Sequence, residues 1–385
     1  MEPLEHFRMT FDFDERIDRR GTASVKWDKY AGRDVIPMWV ADMDFRSAPA
    51  ILEALEQRLR HGVFGYTDPP PELNEAIAAQ LKAEYGWRIE RDWLMWLPGL
   101  VTGINLVARA IGEDGDDVIT AIPVYHPFLT GPANQRRTVT RVPMRLERNR
   151  WVWDFERLEA SITPRTRLLL LCNPHNPVGR AFSRDELLEI ARIAEQHDLI
   201  VCSDEIHCGL VLDADKTHIP FATLDDDVAA HTITLMAASK TFNLPGLGCA
   251  FAVVPDPALR ARMARAAAGI VPRVNALGFA ATLAAYRDSE DWRRALVDYL
   301  RINRDLVIDA VSRMPGLSIT PVEATYLAWI GVDSAAIRDP GAFFEKAGVG
   351  LYDGKVFGTE GYVRLNFGCP RSVLAEALAR IASAL

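Results

Sequence analysis

Three short apolar runs each lead to a polar side chain of a different kind. Leu168-Leu-Leu-Leu-Cys172 precedes Asn176, Leu199-Ile-Val-Cys-Ser203 precedes Asp204, and Thr232-Ile-Thr-Leu-Met236 precedes Lys240. Runs of this length bounded by turn residues are the pattern of strands buried on both faces. Between residues 47 and 285 such runs alternate with amphipathic helices. The strand candidates are Asp117–Ile122, Arg167–Cys172, Leu199–Ser203, Thr232–Met236 and Gly248–Val254. One intervening helix is Arg184–His197, with Leu187, Leu188, Ile190, Ala191 and Ala194 at helical spacing. The alternation predicts an α/β fold with a mostly parallel central sheet covered on both faces. Ligands of such sheets bind beyond the carboxyl ends of the strands, where Asn176, Asp204 and Lys240 fall.

The pattern then changes to longer helices. Ser289–Met314 carries an apolar stripe and stops at Pro315-Gly316, and Arg371–Leu385 forms a last helix expected to be capped near Ser372. The expected organisation is a large domain, 47–285, and a smaller α+β domain built from 1–46 together with 286–385. A chain of 385 residues has length for two or three domains. With 49% hydrophobic and 25% charged residues it has the balance of a globular protein, and a net charge of −8 gives no support to nucleic-acid binding. The acidic start, Met1-Glu-Pro-Leu-Glu-His-Phe-Arg8, has no apolar core of a leader, and no run approaches a membrane span. Five cysteines without a CxxC pair suggest buried free thiols rather than disulfides or a metal site, and hence a reducing cytoplasm.

Asn, Asp and Lys at three strand ends are the groups that a pyridoxal 5′-phosphate (PLP) site requires. The cofactor is carried on a lysine amine, and an acid beside its ring nitrogen keeps that nitrogen protonated, which makes the ring an electron sink. The bond from N–H⁺ to carboxylate is charge-assisted and fixes the ring's orientation. Asn176 would donate to the phenolic oxygen. Singly, Asn176 also reads as a turn former before Pro177, and Asp204 as a helix cap; the order of the three together carries the PLP reading.

Along nearly its whole length the chain resembles the fold-type I PLP enzymes of the aminotransferase class. It is most similar to their branch of cystathionine β-lyases and cysteine-S-conjugate β-lyases. The shared words are Ser24-Val-Lys-Trp-Asp-Lys-Tyr30, Ile36-Pro-Met-Trp-Val-Ala-Asp-Met-Asp-Phe45, Pro123-Val-Tyr-His-Pro-Phe128, Asp204-Glu-Ile-His207 and Tyr362-Val-Arg-Leu-Asn-Phe-Gly-Cys-Pro370. The resemblance implies a site in which Lys240, Asp204 and Tyr125 are catalytic, with Tyr125 stacked on the ring. It implies Asn176 and His207 near the phenolic oxygen, and the amides of Val101 and Thr102 with Ser239 on the phosphate. Tyr66 would cross a homodimer interface to the partner's phosphate. Arg364, with Asn176, would grip the substrate carboxylate, and Trp39 would be a wall residue. The amide turn has an independent argument, since a glycine turn opening a helix presents free N–H groups to an anion.

The chain departs from the family pattern at two positions. Gly248 stands where many aminotransferases carry arginine, and Ala237 stands where a serine often helps hold phosphate. The implied reaction is β-elimination from L-cystathionine or a related cysteine S-conjugate to thiol, pyruvate and ammonia. The same residues would serve an aminotransferase, the alternative activity. A PLP-binding regulator is a third reading, although the 46 residues ahead of the large domain leave no room for a helix-turn-helix segment.

Overall fold

The computed structural model describes residues 11–385; the acidic segment read from residues 1–8 lies outside them. Seven strands form the main sheet: β1 (Leu94–Leu97), β2 (Asp117–Ile122), β3 (Thr138–Pro143), β4 (Thr166–Cys172), β5 (Ile200–Asp204), β6 (Thr232–Met236) and β7 (Ala250–Val253). Their order is β1-β7-β6-β5-β4-β2-β3; β7 runs antiparallel to both its neighbours, and every other pairing is parallel. The sheet is therefore mostly parallel, as expected. Leu168, Leu169, Leu170 and Leu171 are each 1% exposed or less, because helices cover both faces. The helix Arg184–Gln196 is opened by a reciprocal cap, in which Ser183 accepts from Glu186 N–H and Glu186 returns the bond.

Register decides where the chemistry falls. Cys172 pairs with Asp204, and Asp204 with Leu235, so β4, β5 and β6 end level with one another. Asp204 ends β5 itself, and the turns leaving β4 and β6 carry Asn176 and Lys240 to the same edge.

A second sheet has β8 (Leu317–Ile319), β9 (Leu327–Val332), β10 (Tyr352–Asp353) and β11 (Tyr362–Asn366), all antiparallel in the order β8-β9-β11-β10. Arg364 lies on the inner strand β11, between Trp329 and Tyr352 in register. Helices Glu290–Ser312 and Arg371–Ala384 bury Leu296, Leu300, Val307, Leu374 and Ile381 in the same apolar cluster as Leu327 and Leu365. The final helix starts from Pro370 with no side-chain cap; Ser372 instead accepts a hydrogen bond from Arg16, so the cap expected there is not formed. The segment preceding residue 46 packs on this part of the chain, with Ile36 and Pro37 paired in parallel to Val349 and Gly350. Among the described residues no helix is long and apolar enough to cross a membrane.

Candidate active site

A cleft of about 520 Å³ opens beyond the ends of β4, β5 and β6. Its walls include Asn176, Asp204, His207, Lys240, Tyr125, Val101, Thr102, Ser239, Trp39 and Arg364. One predicted site residue is absent from it. Tyr66 is fully exposed on the surface of this chain, beside exposed Val63 and Phe64.

Asp204 is buried at the end of β5, and its carboxylate accepts a hydrogen bond from Ile206 N–H at 3.1 Å. Burial pushes its pKa up to about 7, against the smaller pull of Lys240 toward the ionised form. A carboxyl raised in this way charges in the unfolded chain before it charges in the folded one. Its contribution to stability in the cofactor-free protein therefore falls as pH rises from about 3.8 to about 7. Cofactor-free Asp204→Asn is expected to match wild type in thermal unfolding near pH 4 and to exceed it progressively toward pH 7. A constant gap across that range would contradict the assignment.

Lys240 follows β6 and donates from Nζ to the Ala41 carbonyl at 2.6 Å. Burial, reinforced by the Arg364 charge, brings its amine down to about 8, so an appreciable fraction is neutral near pH 7. The amine is thereby prepared both to bond an aldehyde and to accept a proton.

Asn176 Oδ1 accepts from Arg364 Nη1 at 2.9 Å, which leaves the amide's N–H₂ end for the cleft. Asn176 O in turn accepts from Tyr125 N–H at 3.1 Å, tying the β4 turn to the segment that carries Tyr125. Arg364 is 1% exposed; Nη2 donates to Trp39 O at 2.7 Å, and Nε is buried with no partner among the described residues. Its guanidinium sits 4.7 Å from the Phe357 ring centroid and 5.2 Å from that of Tyr352. Burial lowers its pKa to about 10, which still leaves it charged at neutral pH. His207 is 2% exposed, a cleft-wall residue rather than a solvent-side helix start. Burial and the neighbouring cations hold it well below its usual pKa, hence neutral.

The end of the cleft expected to take the phosphate is a helix start. The first backbone bond closing the helix Leu100–Ala110 is Gly103 N–H to Gly99 O, so the amides of Val101 and Thr102 have no intrahelical acceptor. Gly248 lies against this end. Its φ of +54° lies in the left-handed region, and a Cβ there would stand 3.1 Å from Pro98 O. That geometry strains any side chain here, the arginine carried by many aminotransferases at this position included.

Sequence reasoning missed part of the lining. Tyr352, His126 and Cys172 all face the cleft, and so do Val40 and Ala41 of the strap Trp39–Met43. The strap is held by its main chain: Arg364 on Trp39 O, Asn366 on Val40 O and Asp42 O, Lys240 on Ala41 O. A carbonyl oxygen carries no residue-specific signal, so these contacts cannot be read from sequence. Tyr352 meets Arg364 because the two are paired in register on neighbouring strands far apart in sequence.

These groups fit PLP. A buried carboxylate, an amine of lowered pKa, an asparagine N–H₂ end and unpaired helix-start amides share one cleft of adequate size.

The profile of the aminotransferase class I and II family matches residues 33–381. Cystathionine β-lyase PatB of Bacillus subtilis is 37% identical over 97% of this chain and 100% of that protein. Among solved structures, OvoB is 48% identical with a TM-score of 0.95, over 97% of this chain and 99% of that one. Cystalysin of Treponema denticola, which contains PLP, is 32% identical with a TM-score of 0.92, over 98% and 99%. This chain belongs to the aminotransferase class I and II family of PLP-dependent enzymes, in the branch of the cystathionine β-lyases.

Proposed function

We propose that the protein is a PLP-dependent carbon–sulfur β-lyase that converts L-cystathionine, or a related cysteine S-conjugate, and water to a thiol, pyruvate and ammonia. The observation that carries this reading is the joint placement of Lys240, Asp204 and Arg364 on one cleft in a chain similar from end to end to a cystathionine β-lyase.

When bound, PLP supplies the sink for the electron pair released at the substrate α-carbon. Asp204 would hold the ring nitrogen in its protonated form and would itself be ionised in doing so. Tyr125 would hold the ring by stacking, and Asn176 and His207 would serve its phenolic oxygen. Val101, Thr102 and Ser239 take the phosphate. Arg364 orients the substrate through a two-bonded fork to its carboxylate, with Asn176 alongside. The free amine of Lys240 accepts the α-proton, and departure of the β-thiolate follows. Trp39 closes the cleft over the reacting atoms. This division of labour supports a PLP-binding part at 47–285 and a smaller domain, 1–46 and 286–385, that carries Arg364 and the strap.

Release of pyruvate and thiol from cystathionine with no added 2-oxo acid is the expected result. Strict dependence on an amino acceptor would instead support an aminotransferase.

The exposed Tyr66 supports a two-fold homodimer in which each subunit completes its neighbour's phosphate site. Mixing inactive Lys240→Ala subunits with impaired Tyr66→Phe subunits is expected to restore activity through hybrid dimers, because one of the two sites then has both residues. Additive behaviour of the two preparations, or an active monomer in sedimentation, would refute this arrangement. All five cysteines are free thiols, which supports a place in the reducing cytoplasm.

A further inference from the structure

The Ala41 carbonyl oxygen accepts two hydrogen bonds, from Lys240 Nζ at 2.6 Å and from the Tyr326 hydroxyl at 2.9 Å. Three separate stretches of chain meet at this atom: the strap, the turn after β6, and the residue just ahead of β9. Tyr326 is 1% exposed, and its ring meets that of His207 edge-on with centroids 6.1 Å apart. A carbonyl oxygen has two lone pairs, and both are used here.

A neutral lysine amine has two N–H bonds and one lone pair. Fixing one N–H on an immobile acceptor limits rotation about Cε–Nζ and keeps the lone pair directed away from that acceptor. Lys240 cannot supply the immobility, because its amine must leave the carbonyl whenever it is engaged elsewhere in the reaction. The neighbouring strap carbonyls are held by other residues, Trp39 O by Arg364 and the Val40 and Asp42 oxygens by Asn366. Tyr326 is thus the donor that stays on Ala41 O when the lysine departs. We propose that Tyr326 is a positioning residue for Lys240: it holds the Ala41 carbonyl in place as the acceptor that orients the free amine toward the substrate α-carbon. The inference rests on the reading of Lys240 as the proton acceptor.

The test uses Tyr326→Phe in the cofactor-loaded full chain, with hydrogen exchange of the strap peptide 38–44 as its first readout. One uncharged hydrogen bond is removed, so exchange in that peptide is expected to rise roughly 2- to 10-fold, with peptides of β9 and β11 unchanged. The same loss is expected to lower kcat by roughly 3- to 10-fold with KM close to wild type, because Arg364 and Asn176 are untouched. Unchanged strap exchange overturns the proposal whatever the activity does, and so does a rise spread over the whole smaller sheet. Lys240→Met provides a second measurement should Tyr326→Phe fail to fold. With Tyr326 in place its strap should exchange at the wild-type rate, and a loosened strap there overturns the proposal as well. A chain that failed as a lyase would still give the exchange result, so the two readings fail separately.

Discussion

Lys240→Ala is expected to lose turnover by at least roughly 10⁴-fold, the upper end of what a positioned proton acceptor contributes, since the cofactor's anchor goes with it. The fold should survive. Ala41 O keeps its bond from Tyr326, and the β6 strand that leads to the site is unaltered. Truncation also removes an amine whose lowered pKa shows that the folded chain disfavours its charge. Thermal unfolding of the cofactor-free variant should therefore stay near wild type, which separates a chemical loss from a structural one. Borohydride reduction and peptide mass analysis should find the pyridoxyl group on Lys240 in the wild type and on no other residue in the variant. Activity above about one per cent of wild type, or a label elsewhere in the wild-type chain, would remove the foundation of the proposed mechanism.

Arg364→Leu is the second large effect, and it falls on a different kinetic parameter. Loss of one partner from a buried, hydrogen-bonded charge pair costs about 2–5 kcal/mol. We accordingly expect kcat/KM to drop roughly 10²- to 10³-fold, with most of the change in KM. Arg364→Lys should recover only part of the loss, because an ammonium cannot form the planar fork and would also leave either Asn176 or Trp39 O unserved. Two fully active variants would move carboxylate recognition to another residue. The leucine variant also leaves the Trp39 carbonyl without its donor, so its melting temperature must be compared alongside.

Where residue type and structure share one cause, the chain was legible. β2 and β6 have the bounds expected from their apolar runs, and the other foreseen strands differ by a residue or two, where hydrogen bonding frays. β3 was not foreseen. It is an edge strand whose exposed Thr138 and Arg141, on opposite faces, and half-buried Val139 and Thr140 break the apolar run, so its pattern resembles a polar loop. The helix behind the phosphate turn begins at Leu100, earlier than the clear helical run from Leu106, because Thr102 and Gly103 weaken the apolar pattern of its first turn. At the site, Lys240, Asp204 and Asn176 could be read because strand ends are punctuated by turn residues. The clamp that Lys26, Asp42, Asp44 and Arg19 form beneath the strap could not. Each of its charges resembles a surface residue until the fold buries Lys26 to 1% exposure.

The strap meets the site through peptide oxygens, which every amino acid carries. Substitutions at Val40 and Ala41 can therefore reshape the entrance while leaving those acceptors in place, so this part of the mouth is free to diversify without dismantling the machinery behind it. Losing a single residue from this stretch would do the opposite: each oxygen downstream would move out of step with its donor. One codon removed should harm this enzyme more than any one codon changed there.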